Sequence, residues 1–144
     1  MRLRPATRAD APALARILGN WVRETGWMPV LHSREEDLGF LAHLIETAEV
    51  TVAEDSAPLG FLAREGEDVR ALYLSPEARG RRIGRALLDR AKEGCTRLSL
   101  WAFEANALAV AFYEREGFRV AGRTDGSGNE EWLPDLRLVW EARP

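Results

Sequence analysis

The sequence predicts an α/β (α+β) fold in which a mixed, mostly antiparallel central sheet of about seven strands is flanked by four helices. Short apolar runs suited to strands alternate with longer stretches in which apolar residues recur at helical spacing. The three runs between residues 50 and 74 are joined by a few polar residues each, which is typical of antiparallel strands. A helix-length segment separates the runs at 69–74 and 96–101, which is typical of a parallel pair.

The N-terminal third of the chain predicts one strand and two helices. A short strand is expected at residues 1–4, and polar cap candidates at 7–10 precede a helix over 11–24. Glycine and proline interrupt that helix at 26–29. The segment 33–36 (Ser-Arg-Glu-Glu) matches a capping box, so a second amphipathic helix is expected to begin there.

The rest of the chain predicts six strands and two helices. In chain order, the strands are expected at residues 50–53, 59–63, 69–74, 96–101, 118–123 and 136–140. The third helix follows a glycine-containing turn after Pro76, which cannot extend a strand ladder. The fourth helix is expected to begin after Asn106 as N-cap and to end near Gly117.

Composition limits the classes of protein to consider. The 144 residues are expected to form a single domain over residues 1–144, and the net charge of −3 argues against nucleic acid as the main partner. Cys95 is the only cysteine, which excludes an intrachain disulfide and favours a reducing compartment. No run approaches about 18 apolar residues, so we expect no membrane span and a cytoplasmic location; a homodimer is left open.

Arginine is concentrated at the start of the third helix, where the helix dipole is already positive. The residues concerned are Arg79, Arg81, Arg82 and Arg85. Each of these positive charges destabilises the helix by about 0.3–1 kcal/mol unless an anion is present. Gly80 and Gly84 would let the backbone approach a ligand closely, so the pattern favours a phosphate-bearing ligand over a solvated arginine-rich turn. A nucleotide switch is disfavoured because no Gly-Lys-Ser/Thr follows the turn.

Two motifs resemble the GCN5-related N-acetyltransferase (GNAT) family. The turn Arg79-Gly80-Arg81-Arg82-Ile83-Gly84 matches the family's acetyl-CoA signature, Arg/Gln-x-x-Gly-x-Gly/Ala, with Arg82 at the position of the first glycine. The second motif is Leu100-Trp101-Ala102-Phe103-Glu104-Ala105-Asn106, followed by Ala109, Phe112-Tyr113 and Gly117-Phe118. The motifs span residues 72–118, and the order of elements resembles the GNAT fold over nearly the whole chain.

The resemblance implies an N-acetyltransferase that moves the acetyl group of acetyl-CoA to the primary amine of a small molecule or an amino-acid-like acceptor, by direct attack in a ternary complex. The implied cofactor-binding residues are Leu72, Tyr73, Leu74, Arg79, Gly80, Arg81, Arg82, Ile83, Gly84, Arg85 and Asn106. Residues 72–74 would pair through their backbone with the pantetheine amides, residues 79–85 would hold the pyrophosphate, and Asn106 would bind the pantetheine arm or act only as an N-cap.

Tyr113 matches the family tyrosine near the coenzyme A sulfur and is implied as the general acid. The alternative role is that of a core aromatic residue on an amphipathic helix, although the neighbouring Phe112 is the better core candidate. The general base stays open among Glu24, Asp68, Glu104 and Glu130.

The acceptor site is expected near Trp27, Met28 and His32, which lie in the break between the first two helices, with Trp101 and Trp132 as further candidates. Trp101 replaces a glutamate found in some peptide N-terminal acetyltransferases of the family, which argues against acetylation of ribosomal proteins. No metal is expected, because the two histidines, His32 and His43, lack the spacing of metal ligands.

Two alternatives to a small-molecule acetyltransferase stay open. One is a non-catalytic acyl-CoA-binding or regulatory domain with the same fold, which binding without transfer to any amine would support. The other is a protein or peptide N-acetyltransferase.

Overall fold

The structure, a computed structural model that describes residues 1–143, confirms the predicted class. These residues form seven strands of a mixed, mostly antiparallel sheet and four α-helices. The chain divides into two compact units, Met1–Ala91 and Lys92–Pro144, and each is described by itself below. The expectation of a single domain over residues 1–144 stays a prediction.

The first unit contains four antiparallel strands, two complete helices and most of a third. Its elements are β1 (Arg2–Pro5), α1 (Ala11–Glu24), α2 (Arg34–Thr47), β2 (Glu49–Glu54), β3 (Pro58–Glu65), β4 (Asp68–Leu74) and α3 (Ile83–Glu93), whose last two residues lie past the unit boundary. The strands are ordered β1-β2-β3-β4. The predicted bounds of α1 are confirmed, and so is the capping box that begins α2, where the Ser33 hydroxyl accepts a hydrogen bond from the Glu36 N–H.

The core of the first unit lies where α1 and α2 meet the sheet. Leu14 and Leu18 are four residues apart and therefore share one face of α1. They belong to the same buried cluster as Leu41 and Leu44 of α2 and Phe61 of β3. This burial fixes α1 against the strands, so the end of α1 and the break that follows it have a defined position beside β4 within the unit.

The second unit contains three strands and one complete helix. Its elements are β5 (Arg97–Phe103), α4 (Ala107–Arg115), β6 (Arg119–Thr124) and β7 (Asp135–Glu141). The last strand lies between the other two and is antiparallel to both. Three consecutive residues of β5, Leu98, Ser99 and Leu100, are buried, so both faces of the strand are covered there. Residues 125–134 connect β6 to β7.

An ion-pair network joins β1 to the start of α1. The Arg4 guanidinium donates to both carboxylate oxygens of Asp10 at 2.8 Å and also to Glu54. Asp10 is buried and accepts a further hydrogen bond from the Thr7 N–H at 2.8 Å. Arg4 therefore holds the pKa of Asp10 below its ordinary value, and it lowers the pKa of Glu54 in the same way.

None of the helices in residues 1–143 combines the length and the apolar character of a membrane span.

We expect Arg4→Gln to lower the free energy of unfolding by about 1–3 kcal/mol at neutral pH, because it leaves the buried Asp10 carboxylate without its cationic partner. A carboxylate whose pKa is depressed in the folded state stabilises the fold above its unfolded pKa and loses that effect as the pH falls through the folded pKa. The difference in free energy of unfolding between the variant and the wild type should therefore shrink below about pH 4. Urea unfolding across this range measures it.

The matched control is Arg2→Gln, which removes an exposed partner of Glu54 and should change stability by less than about 1 kcal/mol. A constant difference between Arg4→Gln and wild type from neutral to acidic pH would contradict the assignment to Asp10.

Candidate active site

The turn between β4 and α3 has two residues in the left-handed conformation that is usual for glycine, although one of them is an arginine. Arg82 has a φ of 61° and Gly80 a φ of 77°, both in the left-handed region. That region is unfavourable for residues with a Cβ by about 1–2 kcal/mol. Arg82 stands where the acetyl-CoA signature has glycine, so the position keeps the glycine conformation and adds an exposed guanidinium. The space around the missing Cβ of Gly80 is open to 4 Å.

The arginines of this turn are partly compensated by carboxylates from elsewhere in the first unit, which the sequence analysis did not foresee. Arg81 donates to Asp55, in the turn between β2 and β3, at 2.8 Å and lowers the pKa of that carboxyl. Arg79 lies 3.9 Å from Glu24 at the end of α1. Within residues 1–143, the structure shows no carboxylate beside Arg82. The helix start therefore carries less uncompensated positive charge than the sequence alone indicates.

Residues on either side of the turn are anchored by close packing. Ile83 is 1% exposed, and Gly84 is buried beside it, so a ligand can use only their backbone. Leu74 at the end of β4 lies across Gly60 of β3, where a Cβ would come within 2.5 Å of the Leu74 side chain. The half-buried Leu72 and Tyr73 precede Leu74 in β4 and pair with β3.

An aromatic cluster connects the predicted acceptor segment to β4. The ring of Trp27 meets Trp21 edge-on at 6.0 Å, Trp21 lies 5.2 Å from Tyr73, and Tyr73 lies 6.0 Å from Phe61. Trp27 and Met28 are both half-buried in the break after α1. Trp27 was expected near the acceptor from its place in the break, but no local pattern could reveal its connection to Tyr73, which is more than forty residues away.

His32 is directed toward the start of α2. Its Nδ1 lies 3.6 Å from the Glu36 carboxylate, and its carbonyl accepts a hydrogen bond from Arg23 at 3.3 Å. Among the residues that the structure describes, no group of three or more potential ligand side chains lies together where it could hold a metal ion.

In the second unit, Asn106 caps α4 as predicted. Its Oδ1 accepts a hydrogen bond from the Ala109 N–H at 3.2 Å. Its Nδ2 donates to no other residue in the part of the chain that the structure describes, so the amide is available to a ligand. The N-cap and the ligand-binding roles are therefore compatible.

Tyr113 is the more buried of the two adjacent aromatic residues on α4, contrary to the expectation that Phe112 would be. Its ring lies 5.2 Å from that of Phe112 and 5.5 Å from that of Phe118. The exposed fraction of Tyr113 is 9%, whereas Phe112 is half-buried. The helical register, which is set by the cap at Asn106, decides which of the two rings faces the core.

Trp101 in β5 and Glu104 just after it each contact an arginine side chain. The Arg137 guanidinium lies 5.2 Å from the Trp101 ring, which is 50% exposed. Both nitrogens of the Arg123 fork donate to Glu104, at 3.0 and 3.1 Å, and lower the pKa of this carboxyl. A carboxylate stabilised in this way is a weak proton acceptor, so Glu104 is a poor candidate for the general base.

Comparison with known proteins gives three results. The chain matches the family model described as "Acetyltransferase (GNAT) domain" over residues 46–120. It is 34% identical over 91 residues to peptidyl-lysine N-acetyltransferase YjaB of Salmonella typhimurium, a match that covers 63% of this chain and 63% of that protein, less than two thirds of the relative's length. It is 30% identical over 121 residues to spermidine N(1)-acetyltransferase of Thermoplasma acidophilum, covering 75% of this chain and 70% of that protein.

A solved structure shares the fold over nearly the whole chain. The solution structure of apo-form YjaB from Escherichia coli is similar to this chain with a TM-score of 0.80 and 26% identity, and the alignment covers 99% of this chain and 98% of that one. This chain therefore shares the fold of that solved structure.

We expect Arg82→Gly to raise the free energy of unfolding by about 1 kcal/mol, because glycine adopts the observed φ of 61° without steric strain. The matched control, Arg82→Ala, also removes the guanidinium but keeps a Cβ, and it should give no such gain. Chemical denaturation of the three proteins measures the difference. Equal stabilities of the glycine and alanine variants would contradict a left-handed backbone at this position.

Proposed function

Because the chain belongs to the GNAT acetyltransferase family, we propose that it transfers the acetyl group of acetyl-CoA to the side-chain amine of lysine in a protein or peptide. The proposal of acetyl-CoA as donor is carried by the left-handed turn at Arg82, which lies within the family's acetyl-CoA signature. The proposal of lysine as acceptor is supported by the similarity to a protein named peptidyl-lysine N-acetyltransferase. The small-molecule acceptor expected from the sequence becomes the second candidate.

The donor is proposed to bind along β4 and the turn. The backbone amides of residues 72–74 pair with those of the pantetheine arm, in the way that a peptide adds a strand to a sheet. The N–H groups at the start of α3 and the guanidinium groups of Arg81, Arg82 and Arg85 bind the pyrophosphate. The Nδ2 amide of Asn106, whose Oδ1 is occupied by the helix cap, donates to the pantetheine arm.

Bound acetyl-CoA supplies a thioester, whose acyl carbon is open to attack by an amine. The acceptor must lose its ammonium proton first, because an alkyl ammonium with a pKa of about 10.4 has no lone pair. A backbone N–H of residues 72–74 stabilises the negative charge that develops on the acyl oxygen. The Tyr113 hydroxyl then gives its proton to the departing thiolate as the new C–N bond replaces the C–S bond. The acceptor nitrogen loses one proton as it becomes an amide, and this proton, passed through solvent, restores the neutral Tyr113 hydroxyl.

A small amine is the second candidate acceptor, favoured by the aromatic cluster around Trp27. Indole and phenol rings attract cations through their faces, and the cluster of Trp21, Trp27 and Tyr73 offers such a wall. The similarity to a spermidine N(1)-acetyltransferase points the same way.

Acetyl transfer by the purified chain tests the proposal, with a lysine peptide, a polyamine and a free amino acid as acceptors and with thiol release and product mass as readouts. The expected result is preferential acetylation of the lysine peptide. A preference for the polyamine would replace the proposal with the second candidate. Binding of acetyl-CoA without transfer to any amine would instead support a non-catalytic acyl-CoA-binding domain.

Tyr113→Phe should lower kcat by about 100-fold and leave the KM for acetyl-CoA nearly unchanged, because it removes only the proton donor. The buried ring and its contacts with Phe112 and Phe118 are kept, so the variant should fold. Thiol release at saturating substrate measures kcat, and Phe112→Leu serves as the packing control. Full turnover by Tyr113→Phe would remove Tyr113 from the mechanism.

Asp55→Asn should tighten coenzyme A binding by about two- to fivefold, because it frees Arg81 from a carboxylate that competes with phosphate. Pantetheine has no phosphate, so its affinity should not change. Titration calorimetry with both ligands measures the effect. Weaker coenzyme A binding by Asp55→Asn would show that the carboxylate positions Arg81 rather than competing for it.

A further inference from the structure

Lys92 is the only lysine in a chain that has nineteen arginines. It lies in the last turn of α3, within the second unit, and is half-buried. Its ammonium donates a hydrogen bond to the carbonyl of Glu116, the residue that caps the end of α4, at 2.5 Å. An ammonium is a compact donor whereas a guanidinium is a planar fork, so this position has a side-chain group that occurs nowhere else in the chain.

Two aromatic rings lie against the same ammonium. The Lys92 Nζ is 5.8 Å from the centre of the Phe118 ring and 5.2 Å from that of the Trp140 ring. Both distances are within the range in which a ring face attracts a cation, and this attraction is stronger where water is excluded. The ammonium is therefore bound by one carbonyl group and two rings, all of them in the second unit.

The end of α4 has the hydrogen bonds of a Schellman motif. The Phe118 N–H donates to the Tyr113 carbonyl at 3.0 Å, and the Gly117 N–H donates to the Glu114 carbonyl at 3.1 Å. Gly117 has a φ of 94°, the left-handed conformation that the motif needs just after the cap residue. The Phe118 ring packs against the Tyr113 ring at 5.5 Å, which is the apolar contact that often accompanies this motif.

The Schellman motif contains Tyr113 through both its backbone and its ring. The Glu116 N–H also donates to the Tyr113 carbonyl, at 3.1 Å. Lys92 binds this motif at two points, the Glu116 carbonyl and the Phe118 ring, and both of these residues contact Tyr113. A cation at this end of a helix is favourable, because the last carbonyl groups have no partner within the helix and carry partial negative charge.

Helix α4 is only nine residues long, so its position depends strongly on its two ends. Isolated helices shorter than about 12–15 residues are marginal in water. Asn106 caps the first turn, and Lys92 binds the last. A shift of one position along a helix turns a side chain by about 100°, which would move Tyr113 out of its place and bring the neighbouring Phe112 toward it. The contacts at the two ends oppose such a shift.

We propose that Lys92 is a positioning residue for Tyr113, and that its ammonium holds the end of α4 where the Tyr113 hydroxyl can reach the departing thiolate. The proposal rests on the proposed function, in which Tyr113 is the general acid, and adds a residue that acts only through Tyr113. Proton transfer requires the two heavy atoms to approach to about 2.6–3.2 Å, so a small displacement of α4 lowers kcat. The charge of Lys92 is the essential property, because the rings and the carbonyl group all attract a cation.

Steady-state kinetics on the full chain test the proposal with variants of Lys92. Lys92→Met keeps an unbranched side chain but lacks the charge and the donor, and we expect it to lower kcat about five- to tenfold while the KM for acetyl-CoA changes by less than about twofold. Lys92→Arg keeps the charge and can stack on aromatic rings, so its kcat should stay within about threefold of wild type. Should Lys92→Met fail to fold, Lys92→Gln, which keeps a donor without the charge, takes its place and should also lower kcat.

The matched control is Arg115→Met. It also removes a cation from the last turn of α4, but Arg115 is exposed and lies outside the contacts described above. Its kcat should therefore equal that of wild type. A loss of kcat in Arg115→Met equal to that in Lys92→Met would assign the effect to the general charge at the helix end and overturn the role of Lys92.

A double-mutant cycle separates positioning from a general disturbance of the fold. Because Lys92 is proposed to act through Tyr113, Lys92→Met should lower kcat no further in the Tyr113→Phe background, where the proton donor is already missing. If instead the two losses multiply in the double variant, Lys92 acts independently of Tyr113 and the proposal is wrong.

Nuclear magnetic resonance gives a readout that needs neither acetyl-CoA nor an acceptor. The chain has two tyrosines, Tyr73 and Tyr113, so tyrosine labelled with ¹³C in the ring gives two sets of signals, and Tyr113→Phe shows which set belongs to Tyr113. Lys92→Met should shift or broaden the Tyr113 signals and leave those of Tyr73 unchanged. Lys92→Arg should bring the Tyr113 signals back toward their wild-type positions.

The remaining outcomes distinguish this inference from the proposed function. Unchanged Tyr113 signals or an unchanged kcat in Lys92→Met overturn the positioning role and leave the proposed function intact. Full turnover by Tyr113→Phe, or absence of transfer by the wild type to any amine, overturns the proposed role of Tyr113, and this inference with it.

Discussion

The backbone conformation of residues 79–82 is the constraint on which the rest of the proposed donor site depends. A strand that ends at Leu74 must turn within a few residues into α3, which begins at Ile83, and the turn is completed by left-handed conformations at Gly80 and Arg82. The first turn of α3 then lies where its backbone N–H groups can donate to an anion. The buried Ile83 fixes the helix start, so the turn cannot relax without loss of core packing.

Electrostatic compensation explains how the fold tolerates several arginines at a positive helix end without a ligand. Asp55 and Glu24 lie in separate parts of the first unit, yet their carboxylates approach Arg81 and Arg79. Both pairs are substantially exposed, so each contributes little to stability and can exchange for phosphate at small cost. In the proposed donor site, these carboxylates would compete with a phosphate ligand for the two arginines.

The sequence predicted what depends on local chemistry and missed what depends on distant contacts. The bounds of α1, the capping box at Ser33 and the cap at Asn106 follow from residues within a single helical turn, and all are confirmed. The ion pair of Arg81 with Asp55 joins residues 26 positions apart, and no local pattern marks it.

Backbone conformation and helix register were harder to predict than the elements themselves. The left-handed conformation at Arg82 was not predicted, since the residue preferences of arginine argue against it. The burial of Tyr113 in place of Phe112 was missed because a shift of one position on a helix turns a side chain by about 100°. The site residues themselves, Tyr113 included, stay predictions of role although their local surroundings are now described.

Arg82 and Trp132 are the two non-glycine residues with positive φ in the part of the chain that the structure describes, and each unit contains one. Glycine would fit both positions without strain, so each side chain lowers stability by about 1 kcal/mol or more in a fold whose total is on the order of 5–15 kcal/mol. Neither side chain contributes core packing, since both are exposed. An exposed guanidinium at the proposed phosphate-binding turn and an exposed indole instead suit contacts with molecules outside the chain.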